Sequence, residues 1–168
     1  PAEQPTSTNS QMDRGIRSQR HIWLPAATLA GDTVKVNGTT VAKVDSGPTV
    51  NRVIAYGLDG NDEITVDTKG RAVPAWLFGG NGNDKLTGNI GNDVLDGGAI
   101  TDRINYSDWN VLTYQSASNG VSVDLSGLTG NGSTGSGTAS DGNGGTDSLV
   151  NLNVLIGSEF ADTITGSA

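Results

Sequence analysis

Six aspartates, Asp62, Asp84, Asp93, Asp102, Asp147 and Asp162, each stand sixth in a nine-residue block that opens on glycine. Two places later in each block comes a large aliphatic: Ile64, Leu86, Leu95, Ile104, Leu149 and Ile164. Residues 79–87 (GGNGNDKLT), 88–96 (GNIGNDVLD) and 97–105 (GGAITDRIN) run on without a gap. Short carboxylates set among glycines suit a hard cation, and calcium takes roughly six to eight oxygen ligands. Gly/Asn/Asp-rich turns are also ordinary turn chemistry that needs no metal. Turns alone do not hold aspartates and aliphatics in phase at a nine-residue spacing.

Other chemistries find little material. The chain has no cysteine, which removes disulfides, thiolate metal sites and thiol nucleophiles. Its single histidine, His21, lacks a partner for a His-based metal or catalytic site and reads as structural. Acids number 18 against 10 Lys and Arg, and the imbalance falls after residue 56, so phosphate backbones would be repelled. No apolar run is long enough to span a bilayer, and no signal-peptide pattern opens the chain. Only 34% of residues are hydrophobic, so the core must be thin and repetitive, with little to build a catalytic pocket.

The blocks resemble the RTX, or hemolysin-type, calcium-binding nonapeptide G-G-x-G-x-D-x-(aliphatic)-x, which 79–87 matches at every defined place. Block 57–65 (GLDGNDEIT) has the same form, 70–78 puts Ala75 where Asp should be, and 142–150 and 157–165 recover the pattern. The resemblance implies an all-β fold, a right-handed parallel β-roll or β-solenoid. Each block would give a six-residue turn and a three-residue strand, with residues 18 apart stacked. It also implies calcium ligands from Gly57, Asp59, Asp62, Gly79, Gly80, Gly82, Asp84, Gly91, Asp93, Gly97, Gly98, Asp102, Asp147 and Asp162. Asp84 and Asp102 form the expected pair on one side. Asp62 joins them because Val66 to Lys69 are an insertion. Asp93 is expected between 70–75 and 106–111. Ile100 in place of a turn glycine weakens the 97–102 turn, since β-branched residues disfavour left-handed backbone.

The elements around the blocks are less regular. Residues 1–30 read as a flexible segment or cap, in which Arg14, Arg17 and Arg20 share a solvated face. Residues 31–56 read as a cap: a hairpin about Asn37-Gly38, with Val36 opposite Thr39 and Val34 opposite Val41, then a strand over 50–56. Residues 57–105 hold the repeats, and 106–168 a degenerate terminal segment. There, 121–125 reads as a strand, 128–144 as a Gly/Ser/Thr-rich loop, and 151–156 as a strand burying Leu152, Val154 and Ile156. Trp76, Tyr106 and Trp109 are expected to pack against the roll's ends. The chain opens on Pro1, as an excised segment would, and Gly166-Ser167 reads as the start of a further repeat.

The resemblance implies a non-catalytic module of a larger secreted bacterial protein, exported unfolded by a type I route and folded outside the cell by calcium. The covalent partner would be a catalytic, toxin or adhesin domain; no nucleic acid and no membrane span are expected. An adhesive or carbohydrate-binding module contacting a surface polymer is the alternative, and a self-processing module a further one.

Overall fold

The computed structural model describes residues 52–68, 70–100, 109–129 and 134–166, with the backbone of strands at 21–23, 33–36 and 39–43. The strands, in chain order, are β1 (His21–Trp23), β2 (Thr33–Val36), β3 (Thr39–Lys43), β4 (Val53–Asp59), β5 (Glu63–Asp67), β6 (Ala75–Asn81), β7 (Lys85–Thr87) and β8 (Val94–Ala99). There follow β9 (Val111–Thr113), β10 (Ser122–Asp124), β11 (Leu128–Thr129), β12 (Thr134–Gly135), β13 (Gly137–Ser140), β14 (Thr146–Val150), β15 (Val154–Ile156) and β16 (Thr163–Thr165). One sheet is ordered β1-β4-β6-β8-β14-β13-β10-β16 and the other β15-β9-β7-β5-β2-β3, while β11 and β12 pair by themselves.

The chain passes from one sheet to the other and back: β4 to β5, β6 to β7, β8 to β9, β14 to β15. Successive passes stack in parallel, which makes four coils. A three-residue strand points one side chain inward, and the eighth-place aliphatic is that residue. Ile64, Leu86, Leu112 and Leu155 are register partners in one sheet. Ala55, Leu77, Leu95 and Leu149 are partners in the other. Both columns meet in a single core. Burial of each leucine contributes about 2 kcal/mol, so the stack is held by repetition of one contact.

Several expectations give way here. β4 runs past residue 56, and its first half pairs with β6 as an ordinary coil strand. The hairpin exists, with Val36 opposite Thr39, but a bulge after Val34 moves its partner to Ala42 instead of Val41. Ile104, Tyr106 and Asp102 lie outside the described residues. Leu112 fills the inward place expected for Ile104, with Leu86 as its partner.

In the second coil Gly82 has φ of +118°, and a Cβ there would strike the Gly60 carbonyl oxygen. A β-branched residue is disfavoured at the equivalent place, where Ile100 stands, and the ladder bond to the Asp84 N–H is made by Asn110. Ile100 itself is buried.

The expected loop over 128–144 contains the β11–β12 pair and β13, which lies antiparallel between β14 and β10. Its inward residues are Gly137 and Ala139, too small to give an aliphatic signal. In 151–156 the buried phase is shifted: Leu152 is buried, and Leu155, rather than Val154 or Ile156, packs against the core. Ile164 does not face a core, because β16 is an edge strand, and it is 53% exposed. Trp76 and Trp109 do not cap the ends. Trp76 stands on the outer side of β6 beneath the Arg52 guanidinium, 4.0 Å from its ring centre, and Trp109 is 51% exposed.

Candidate metal centre

The turns leading into β5, β7, β9 and β15 end on Asp62, Asp84, Asn110 and Asn153. Each later side chain locks the coil before it. Asp84 Oδ1 accepts the Asp62 N–H at 2.9 Å, Asn110 Oδ1 accepts the Asp84 N–H at 3.2 Å, and Asn153 Oδ1 accepts the Asn110 N–H at 2.8 Å. Fifth-place asparagines bond in the opposite direction: Asn61 Oδ1 accepts the Asn83 N–H at 2.9 Å, and Asn83 Oδ1 accepts the Trp109 N–H at 2.6 Å. These bonds satisfy turn N–H groups that would otherwise be unpaired between coils.

The second carboxylate oxygen faces a different environment. A Cβ on Gly57 would meet both Asp62 Oδ2 and the Gly79 carbonyl oxygen. A Cβ on Gly79 would meet Asp84 Oδ2 and, at 2.6 Å, the Gly97 carbonyl oxygen. Each glycine thus leaves a space lined by a carboxylate and by the carbonyl of the next coil. Asp84 Oδ2 is buried and accepts no hydrogen bond. Higher in the same turns, Gly80 and Gly98 stack at a separation of 18 residues, as expected, and Leu58 stacks on Gly80.

On the opposite side Asp93 Oδ1 accepts the Ala75 N–H at 2.7 Å, which agrees with the expected upper neighbour. The lower neighbour is Asp147, whose Oδ1 accepts the Asp93 N–H at 3.0 Å, and not the segment 106–111. The reason is topological: β8 pairs with β14, while Asn110 enters the other column ahead of β9. Asp93 Oδ2 lies against Gly88, buried and without a hydrogen bond. Asp147 Oδ2 accepts the Tyr114 hydroxyl at 2.8 Å.

Of the remaining expected ligands, Gly91 packs against the Val73 carbonyl and Gly145. Asp59 accepts a bond from Asn81 at the surface. Asp162 is at the sheet edge, its oxygens taken by Ser158 and by the Val121 N–H. The expected neighbour of Asp84, Asp102, is outside the described residues, and Asn110 holds that rung of the ladder.

Asp141 and Tyr114 escaped the sequence reading, and Asn110 was expected out of register below Asp93. Asn110 is fully buried, but an amide at the sixth place breaks the motif. Asp141, also fully buried, lies outside any nine-residue frame and accepts the N–H groups of Asn143 and Gly145 at 2.7 and 2.8 Å. Tyr114 gives no local signal of its bond to Asp147.

Burial dominates the electrostatics. It pushes Asp84 up to about 6, helped by the charge of Asp62 and opposed by the Asp62 N–H bond. Asp93 rises to about 8 by burial and the charges of Asp147 and Asp141, and Asp147 to about 7 chiefly by burial. Asp162 is held below its ordinary value, first by the Ser158 hydroxyl. Carboxylates buried this way favour either a proton or a cation. Among the described residues no three His, Cys, Asp or Glu side chains converge to hold a metal ion, so an ion here must also use main-chain oxygens.

A family model, the RTX calcium-binding nonapeptide repeat, matches four copies within residues 76–104 and 153–168. The chain carries RTX repeats. The ion that RTX repeats bind is Ca2+. The donor set fits it: carboxylate and carbonyl oxygens line a space that the glycines keep open, and two buried carboxylate oxygens have no donor. The match spans the second coil, the β8 half of the third and the last two strands, whereas the 57–65 and 142–150 blocks fall outside it. No curated protein and no solved structure matches the chain. Among the described residues no helix is long and apolar enough to cross a membrane.

Proposed function

We propose that this chain is a calcium-folded RTX module, a right-handed β-roll that closes its coils on Ca2+ outside the cell. It is non-catalytic itself and belongs to a larger secreted bacterial protein, exported unfolded by a type I route and covalently joined to a catalytic, toxin or adhesin domain. The observation that carries this reading is the buried Asp84 Oδ2, without a hydrogen bond, facing the Gly97 carbonyl across the gap left by Gly79. Two acceptors in one buried gap repel, and a bound cation neutralises the carboxylate and draws both towards itself.

On this reading Asp62 and Asp84, with the Gly79 and Gly97 carbonyls, hold ions on one side, and Asp93 and Asp147 hold one on the other. β1 and the β2–β3 hairpin extend the two sheets past β4 and β5, in keeping with a cap on that end. The test is far-UV circular dichroism of calcium-stripped protein titrated with Ca2+ to about 10 mM, with Mg2+ as control. A cooperative gain of β signal with Ca2+ alone is expected. A spectrum that is already complete without calcium and unchanged by it would overturn the proposal.

The exposed aromatic face of the larger sheet favours the adhesive alternative. Tyr56 and Phe78 stack there with ring centres 4.9 Å apart, beside Trp76. Yet the stacked rings face each other and Arg52 covers the Trp76 ring, which leaves less open aromatic surface than a sugar platform needs. Glycan binding that is lost in Trp76→Ala and Trp109→Ala would restore this alternative to first place.

A further inference from the structure

The gap below Asn110 is built on the same plan as the gap below Asp84, with one atom changed in kind. In the Asp84 gap, the open space at Gly79 is lined by Asp84 Oδ2 and the Gly97 carbonyl, two acceptors with no donor between them. In the Asn110 gap, the open space at Gly97 is lined by the Asn110 side chain and the Asn151 carbonyl. Asn110 keeps the ladder intact, since its Oδ1 accepts the Asp84 N–H as Asp84 Oδ1 accepts that of Asp62. Its other arm is Nδ2, which donates to the Asn151 carbonyl at 3.2 Å. The partners fix which end is oxygen and which nitrogen, because a backbone N–H only donates and a carbonyl only accepts.

We infer that the Asn110 amide does in this gap the work of a calcium ion in the gap above, so that the third and fourth coils close on this side without metal. The inference rests on the calcium reading of the Asp84 gap. A carboxylate facing a carbonyl needs a cation between them, whereas an amide facing a carbonyl supplies its own proton. Asn110 is fully buried, so water does not compete for that bond. The chain therefore carries a metal-independent seam next to a metal-dependent one, and this column takes up fewer ions than its rungs would suggest. The seam also joins β9 to β15 across the long insertion between the third and fourth coils, where a segment waiting for calcium would have the most loop entropy to overcome.

The paired substitutions Asp84→Asn and Asn110→Asp test this on the whole chain, read by bound Ca2+ per molecule in native mass spectrometry and by melting temperature with and without calcium. Asp84→Asn should bind one ion fewer and, stripped of calcium, melt higher than wild type by roughly 3 °C or more. Asn110→Asp should bind one ion more and melt lower when stripped, with the loss recovered in calcium. The inference is overturned if Asn110→Asp gains no ion and melts lower by the same amount in both conditions, since Asn110 would then be an ordinary core amide. Should Asn110→Asp not fold, Asp84→Asn decides: an unchanged ion count, or a lower melting temperature without calcium, overturns it. A wild-type chain that takes up no calcium would overturn the underlying reading and this one with it, before any variant is made.

Discussion

Gly79→Ala separates a space that must stay open from a glycine kept for its backbone. The φ of Gly79 lies outside the left-handed region, so alanine adds no torsional strain. The added methyl has nowhere to go: it would meet Asp84 Oδ2 and, at 2.6 Å, the Gly97 carbonyl oxygen. Ordinary contact begins at 3.4 Å, so one coil must move by most of an ångström against a backbone partner. Overpacking of this kind costs about 1–3 kcal/mol. Where folding takes up three ions in one event, that cost is shared among them and shifts the calcium needed for half-folding by about 2- to 5-fold. The methyl also fills the proposed ion space, so the bound-ion count should fall by one.

Gly70→Ala is the control. Its φ of +82° costs a side chain torsional strain, but nothing lies within 4 Å of the added Cβ. The loss should be about 1 kcal/mol, and the ion count should not change. Calcium titration by circular dichroism, with native mass spectrometry for the count, reads both variants. The reasoning fails if Gly79→Ala keeps both the wild-type count and the wild-type midpoint, or if Gly70→Ala loses an ion.

Three further outcomes follow from the same coordinates. The folded-state values of Asp84, Asp93 and Asp147 rise to about 6, 8 and 7, so the stability they lend the calcium-free roll is complete below about pH 4 and is lost as pH climbs through those values. Acid should therefore replace calcium in part: stripped protein should melt higher near pH 4.5 than near pH 8, and a flat profile would contradict the burial argument. Leu58 holds φ of +78° where Gly80 and Gly98 stand in the next coils, so Leu58→Gly should stabilise by about 1 kcal/mol and raise the melting temperature by about 3 °C. A lower melting temperature would mean that packing of the Leu58 side chain outweighs the torsional strain. Leu77 is fully buried in its column, and Leu77→Ala should cost about 2–5 kcal/mol in urea unfolding at saturating calcium; a loss below about 1 kcal/mol would mean that the core is not built from those columns.

What the sequence made legible is what repeats at nine. The inward aliphatics and the column of Asp62 and Asp84 could be placed because each residue's role depends only on its place in the block, and the insertion Val66 to Lys69 accounts for their separation of 22 residues. Reasoning by period misplaced two rungs, the one below Asp84, which Asn110 holds, and the partner of Asp93. Block 97–105 matches the motif at Gly97, Gly98 and Asp102, yet one residue, Ile100, occupies a place where the second coil has no room for a Cβ. A β-branched residue is disfavoured where a turn glycine packs against a carbonyl, and Asn110 makes the ladder bond expected of Asp102. The partner of Asp93 was hidden for a related reason. Asp147 is 54 residues away, beyond an insertion whose inward residues, Gly137 and Ala139, are too small to announce a strand. Sequence distance says little about which rungs meet. In a stacked fold the neighbour of a rung is whichever segment returns to the same sheet position, and here the returning rung decides, by carrying an acid or an amide, whether the gap asks for an ion.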